Sequence, residues 1–309
     1  MSNKISVVNK FLIVVAGPTG VGKTAVSIML AKEFNAEIFS ADSRQMYKEM
    51  DIGTAKPSLE ELNLVPHHFI NHIGIHQPYS AGQFQTEIRT ALNKYFDDHQ
   101  IGIMTGGTGL YIRALLDGLD DFPDIPESVK EHYDSKLKEN GIQSLQLELS
   151  AKDPVYYETV DQDNARRLIR SLCVISVSGK PYTSFLSPIK VNPLPFETIP
   201  ILLDLPRKEL YETINKRVDS MIDNGLIDEA KHLFPHRHLQ ALQTVGYREL
   251  FDFFEGNISM TDAIALIKQN TRRYAKRQLT WFRKYGNWHV ADPHKYSDIR
   301  DYVISKITG

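Results

Sequence analysis

Residues Phe11–Ala16, FLIVVA, are apolar without a break and stop at a glycine. An unbroken apolar run of this length predicts a strand buried on both faces, as in a parallel sheet. From Lys23 the spacing becomes helical, with Val26, Met29, Leu30 and Phe34 apolar, and predicts a helix over 23–34. Glu37–Ser40 reads as the next strand, and V-P-H-H-F-I (65–70) as a further short one. Ser80 and Gln83 form a capping-box pattern, behind which Phe84, Ile88, Leu92 and Phe96 recur every four residues. Ile101–Met104 is another buried strand, ending in T-G-G-T-G-L-Y (105–111). Strands alternating with helices predict an α/β fold: a P-loop NTPase-like core with a parallel sheet flanked by helices.

From Leu119 to Thr198 the pattern changes. Prolines punctuate both ends (Pro123, Pro126; Pro188, Pro193, Pro195), and charged helical segments without long buried strands lie between them. Ile201–Leu205 then resumes a core strand. The expected organisation is a catalytic core, 1–118 and 199–309, carrying a helical insertion domain, 119–198. In the insertion, D-N-A-R-R-L-I-R (163–170) sets Arg166 and Arg170 on one helix face with Arg167 beside them. Composition favours a solvated face there. A long helix is expected over Thr261–Tyr285. It carries Lys268, Arg272 and Lys276 at four-residue intervals, then Arg273, Arg277, Arg283 and Lys284, with only Asp262 opposing them. Tyr274, Trp281, Phe282 and Tyr285 are interleaved. The stripe suits a polyanion; it equally suits an amphipathic helix whose basic side chains lie over aromatic core contacts.

Composition narrows the partners. The 309 residues are 42% hydrophobic and 24% charged with a formal net charge of −2, so nucleic-acid binding must come from a local patch. The single cysteine, Cys173, excludes an internal disulfide framework and a multi-cysteine zinc module, and suits a reducing cytoplasm. No apolar run reaches membrane-spanning length. The first residues include Lys4 and Lys10 but no signal-peptide core or cleavage site. His67, His68, His72 and His76, and His232, His236 and His238, lack the cysteines or H-E-x-x-H pattern of a zinc site.

The chemistry starts at G-P-T-G-V-G-K-T, that is Gly17, Pro18, Thr19, Gly20, Val21, Gly22, Lys23 and Thr24. The motif lies between a strand and a helix, the setting it needs for backbone N–H groups and a helix N-terminus to face phosphate. Such a loop usually marks a nucleotide-binding, ATP-binding protein, yet it recognises only the phosphate chain. Lys23 would reach the terminal phosphate and Thr24 would ligate Mg²⁺. Asp42 follows the second strand, where ligands of open α/β sheets bind. It reads as a magnesium-shell ligand, a general base or a turn cap. Ser43, Arg44 and Gln45 come next, Gln being suited to an adenine edge. Ile101–Met104 leads to glycines, Thr108 and Tyr111, where many P-loop ATPases have a magnesium-binding Asp.

With these motifs the chain resembles the bacterial tRNA dimethylallyltransferase (tRNA isopentenyltransferase) family almost end to end. The resemblance is carried by G-P-T-G-V-G-K-T (17–24), S-A-D-S-R-Q-M-Y-K-E-M-D-I-G-T-A-K-P (40–57), V-P-H-H (65–68), Y-S-A-G-Q-F (79–84), G-G-T-G-L-Y (106–111), V-G-Y-R-E (245–249) and K-R-Q-L-T-W-F-R-K (276–284). It implies dimethylallyl diphosphate as donor and, as acceptor, N6 of the adenosine directly 3′ of the anticodon in a tRNA anticodon stem-loop. The phosphates held would then belong to the allylic donor. The resemblance implies Asp42 as base, Thr24 as the magnesium ligand, and Arg217 beside the leaving diphosphate. It places RNA contacts at Asp42, Ser43, Arg44, Gln45, Thr108 and the Arg166–Arg170 segment (Arg166, Arg167, Leu168, Ile169, Arg170). A cytoplasmic monomer is expected. Rival readings are a P-loop small-molecule kinase, an adenylate isopentenyltransferase and a non-catalytic RNA-binding protein.

Overall fold

The computed structural model describes residues 9–186 and 193–309; Lys4 and Pro188 lie outside them. The chain divides into two compact units, Met1–Leu116 with Pro193–Gly309, and Asp117–Asn192. In the first unit six strands form one sheet: β1 (Phe11–Ala16), β2 (Ile38–Ser40), β3 (His67–His68), β4 (Ile101–Gly106), β5 (Glu197–Leu203) and β6 (His289–Ala291). Their order is β3-β2-β4-β1-β5-β6, and every neighbouring pair is parallel. β1 is central, so each of its residues is buried. Alternate side chains serve opposite layers. Leu12, Val14 and Ala16 join one core cluster, and Phe11, Ile13 and Val15 join the other.

The helices of this unit are α1 (Lys23–Glu33), α2 (Leu59–Leu64), α3 (Ala81–Asp98) and α4 (Gly109–Leu116) before the insertion. The insertion contributes α5 (Glu127–Lys152), α6 (Pro154–Thr159) and α7 (Ala165–Ser178). After it come α8 (Arg207–Asp223), α9 (Leu226–Leu233), α10 (Tyr247–Phe254), α11 (Met260–Lys284) and α12 (Tyr296–Thr308). The capping box at Ser80 and Gln83 opens α3, whose Phe84, Ile88, Leu92 and Phe96 are all buried. The second unit closes over a cluster of its own, including Tyr133, Leu145, Leu149, Leu168 and Leu172.

Several boundaries differ from the expectation. Met29 is 43% exposed, because α1 buries Val26 and Leu30 toward the sheet and turns Met29 away. β5 starts four residues before Ile201 and ends before Leu205, and it contains Pro200. Proline has no N–H for a ladder. Pro200 is tolerated because β6 pairs only from Ile201 onward, so among the described residues no strand lies on the side of Pro200 away from β1. β6 itself was not expected; it is three residues long, with Val290 60% exposed. No helix among the described residues is long and apolar enough to cross a membrane.

Candidate active site

The carboxyl ends of β1, β2 and β4 converge, as the parallel order requires, and each delivers a loop. Gly106 lets the β4 end approach β2 closely: a Cβ there would run into the Ala41 backbone. Thr108 then ties the two loops together. Its N–H donates to the Ala41 carbonyl at 3.3 Å, and its hydroxyl accepts from Ser43 N–H at 3.0 Å. Asp42 is held by its own turn, one carboxylate oxygen accepting from Arg44 N–H at 2.9 Å and Gln45 N–H at 3.3 Å. The other oxygen accepts no hydrogen bond among the described residues. Turn cap and site carboxylate are thus compatible roles for one side chain.

Behind β1 the phosphate loop is closed by residues far away in sequence. Gln278 of α11, only 7% exposed, accepts from Thr19 N–H at 2.9 Å and donates to the Gly107 carbonyl at 2.8 Å. Removing its amide would orphan both backbone groups, at about 1–3 kcal/mol each. Arg217 of α8 donates to the Thr19 hydroxyl at 2.5 Å, while its Nε is buried without a partner. Lys23 donates to the Pro18 carbonyl at 2.8 Å. Burial lowers the Lys23 pKa to about 8; the Asp42 charge opposes this and Arg217 adds to it. Burial likewise lowers the Arg217 pKa, again opposed by Asp42. Two desolvated cations beside a loop of backbone donors form a site that gains from receiving an anion.

Two recesses meet at these groups. The polar one follows the phosphate loop past Gly20, Lys23 and Thr24 to Thr105 and Gly106. The other is walled by Val218, Met221, Leu226, Val245 and Ile267, with Tyr274 and Gln278 at its side. Thr19, Lys23, Asp42, Thr54 and Arg217 line both. Burial pushes the Tyr274 pKa up to about 12, helped by the Asp42 charge. A phosphate cradle therefore opens directly onto an apolar chamber, and β4 brings no carboxylate to the junction.

The remaining expected residues are distributed unevenly. Arg44 and Gln45 are anchored within the protein. The Arg44 guanidinium donates to the Ala241 and Gln240 carbonyls at 2.9 and 3.2 Å, and the Gln45 amide to those of Ala55 and Thr54 at 2.9 and 3.3 Å. In the second unit Arg166, Arg167 and Arg170 are exposed on α7, with Arg170 stacked over Phe122. Leu168 corrects the expectation for that segment. It is fully buried in the unit's core, because it occupies the helix face opposite the arginines, and its side chain has no surface to offer RNA.

The α11 stripe is also uneven. Lys268 pairs with Asp219 at 2.5 Å and Arg283 with Asp204 at 2.8 Å, so the acidic partners come from outside the helix, while Asp262 accepts from the Ser259 hydroxyl at 2.6 Å. Arg272 donates to Asn215 at 2.6 Å. Lys276 and Arg277 are exposed and without an ion pair among the described residues. The histidines are engaged locally, His68 with Glu37 and His72 with Glu87. Among the described residues no group of three or more His, Cys, Asp or Glu could hold a metal ion.

A family model described as IPP transferase matches residues 45–285. The tRNA dimethylallyltransferase of Christiangramia forsetii is 48% identical over 97% of this chain and 99% of its own. That of Flavobacterium psychrophilum is 47% identical over 94% and 97%. Among solved structures, the full-length tRNA isopentenylpyrophosphate transferase of Bacillus halodurans superposes with a TM-score of 0.71 at 36% identity, covering 96% of this chain and 97% of that one. A eukaryotic dimethylallyltransferase acting on tRNA superposes with a TM-score of 0.77 at 27% identity, covering 96% and 79%.

Proposed function

We propose a function from one premise: the chain belongs to the IPP transferase family. It is a tRNA dimethylallyltransferase, a prenyltransferase that moves a dimethylallyl group from dimethylallyl diphosphate to N6 of the adenosine 3′-adjacent to the anticodon and releases diphosphate. The observation that carries this reading is the phosphate cradle opening onto an apolar chamber at Lys23, Asp42 and Arg217. A diphosphate with a hydrocarbon tail matches that pairing of surfaces. A P-loop kinase would want a carboxylate at the end of β4, where Thr105 and Gly106 stand instead.

The chemistry is one displacement. The adenine amine forms a bond to the first carbon of the allyl group as that carbon's bond to the diphosphate oxygen breaks. Asp42, through the oxygen its turn leaves free, takes the proton from nitrogen. Charge growing on the diphosphate meets phosphate-loop N–H groups, Lys23 and Arg217, donors already in place before reaction. The unpartnered Nε of Arg217 supports that role. Magnesium fits the donors present: the Thr24 hydroxyl and the Asp42 carboxylate line one polar recess, and this ion takes one or two protein oxygens together with phosphate and water. When bound it supplies further positive charge beside the diphosphate.

The adenosine must leave its stack to reach Asp42. Ser43, Arg44, Gln45 and Thr108 lie where its base and neighbours would arrive. Arg166, Arg167 and Arg170, with Lys276 and Arg277 on α11, are the exposed cations we assign to the anticodon stem-loop. The named donor-site groups all lie in one unit, so the proposed reaction asks for no second copy, in keeping with the monomer we propose; a tRNA substrate fits work in the cytoplasm.

The test offers purified protein labelled dimethylallyl diphosphate with tRNA, with AMP, or with ATP and a metabolite mixture. Label on tRNA with diphosphate release is expected, and no ADP. Preferential labelling of AMP would move the protein to the free-nucleotide class. Metabolite-stimulated ATP hydrolysis would make it a kinase.

A further inference from the structure

Arg217 and Met221 stand one turn apart on α8 and share a face. Both line the apolar chamber of the donor site. Both also line a second recess, where Ile52, Pro57, Leu59 and Leu62 stand among polar residues such as Lys56 and Asn71. Arg217 and Met221 are the residues the two recesses share, and the flexible Met221 side chain is the apolar part of the partition between them; the first recess holds the donor tail in the function proposed above. The second space opens beside Leu59, which is 79% exposed, an apolar lining with no partner on its outer side among the described residues.

We infer that Met221 sets the length of the allylic donor, and that the recess behind it has the chemistry to receive one further isoprene unit once the partition is removed. This rests on the donor site as read above. The reaction itself is unchanged. The bond from N6 to the first allylic carbon forms, the bond from that carbon to the diphosphate oxygen breaks, and Asp42 takes the proton. Hydrophobic sites discriminate a single extra methylene by about 10–200-fold, so a wall against a whole isoprene unit is a strong filter. An unbranched, deformable side chain is also the kind that can be shortened without disturbing its helix.

The experiment measures kcat/KM for dimethylallyl and geranyl diphosphate with tRNA as acceptor. The wild-type reaction with dimethylallyl diphosphate is the control for the underlying reading: if it fails, the function fails and not the partition. With that control active, Met221→Ala should raise the geranyl-to-dimethylallyl ratio by at least about tenfold. Leu62→Trp added to it should fill the second recess and cancel the gain, while Leu62→Trp alone leaves dimethylallyl transfer unchanged. Met221→Val, read by the same ratio, replaces the alanine variant if that one does not fold. An unchanged ratio in the folded Met221 variant overturns the proposal, as does a gain that survives Leu62→Trp.

Discussion

Lys23 works at a depressed pKa, and this gives the site two pH dependences of opposite sign. Its charged form attracts diphosphate, and burial has lowered its pKa to about 8. Donor affinity should therefore be highest below that pH and fall by up to tenfold per unit as pH rises through it. The bound anion raises the pKa and ends the decline. Stability of the donor-free protein runs the other way. Between about 8 and the ordinary lysine value of 10.5 the unfolded chain holds the proton and the folded chain does not, so stability rises across that window. Calorimetric donor titrations and denaturant melts from pH 6 to 10 check both slopes, and Lys23→Met should flatten both. At Asp42 the question is proton against metal. Asp42→Asn keeps the turn's acceptor but cannot take a proton, so single-turnover transfer should fall by about 10²–10⁴ with tRNA affinity little changed. Rescue by added magnesium, with weakened donor binding, would instead make Asp42 a metal ligand.

Among the elements, α11 carries the prediction about RNA. Because Lys268 and Arg283 are ion-paired and Arg272 and Arg273 donate to Asn215 and Asn270, what is left for phosphate is Lys284 at the helix end and the adjacent pair Lys276 and Arg277. Replacing that pair by Ala should weaken tRNA binding and reduce the log–log salt slope by nearly two units at duplex contacts, roughly 0.9 each. Donor affinity should hold, and an unaltered slope would return the pair to the role of surface decoration. The same helix marks how far one-dimensional reading reaches. Its boundaries, and the start of α3, follow from periodicity because each buries a repeating stripe of its own residues, and those of β1 follow from an unbroken apolar run that is buried throughout. β6 was illegible because three residues with an exposed Val290 carry no period, and Pro200 hid the start of β5 because its tolerance depends on where a neighbouring strand begins. At the site, the phosphate loop and Asp42 were legible as local motifs. Gln278 lay inside a recognised motif without a role, and Arg217 was reached only through the family resemblance, since the contacts that define them span 259 and 198 residues.

For the whole molecule, the separate core of the Asp117–Asn192 unit predicts separable functions. A chain in which that unit is replaced by a short flexible linker should keep the donor site, whose residues all lie outside it, and bind dimethylallyl diphosphate with near-native affinity. It should lose transfer to tRNA, because Arg166, Arg167 and Arg170 go with the unit. Donor binding by calorimetry and transfer to tRNA, measured side by side, check this; loss of both would mean the remaining unit depends on the insertion to fold.

The clasp of Gln278 on Thr19 also dictates when the enzyme can come alive during its own synthesis. The phosphate loop leaves the ribosome well before α11, and the side chain that locks it comes 259 positions later. Closing a contact of that span costs chain entropy, which makes it a late event in folding. A nascent or truncated chain ending before α11 holds a complete phosphate motif that cannot set. A chain truncated before α11 is therefore expected to bind dimethylallyl diphosphate far more weakly than the full chain, which calorimetry would read.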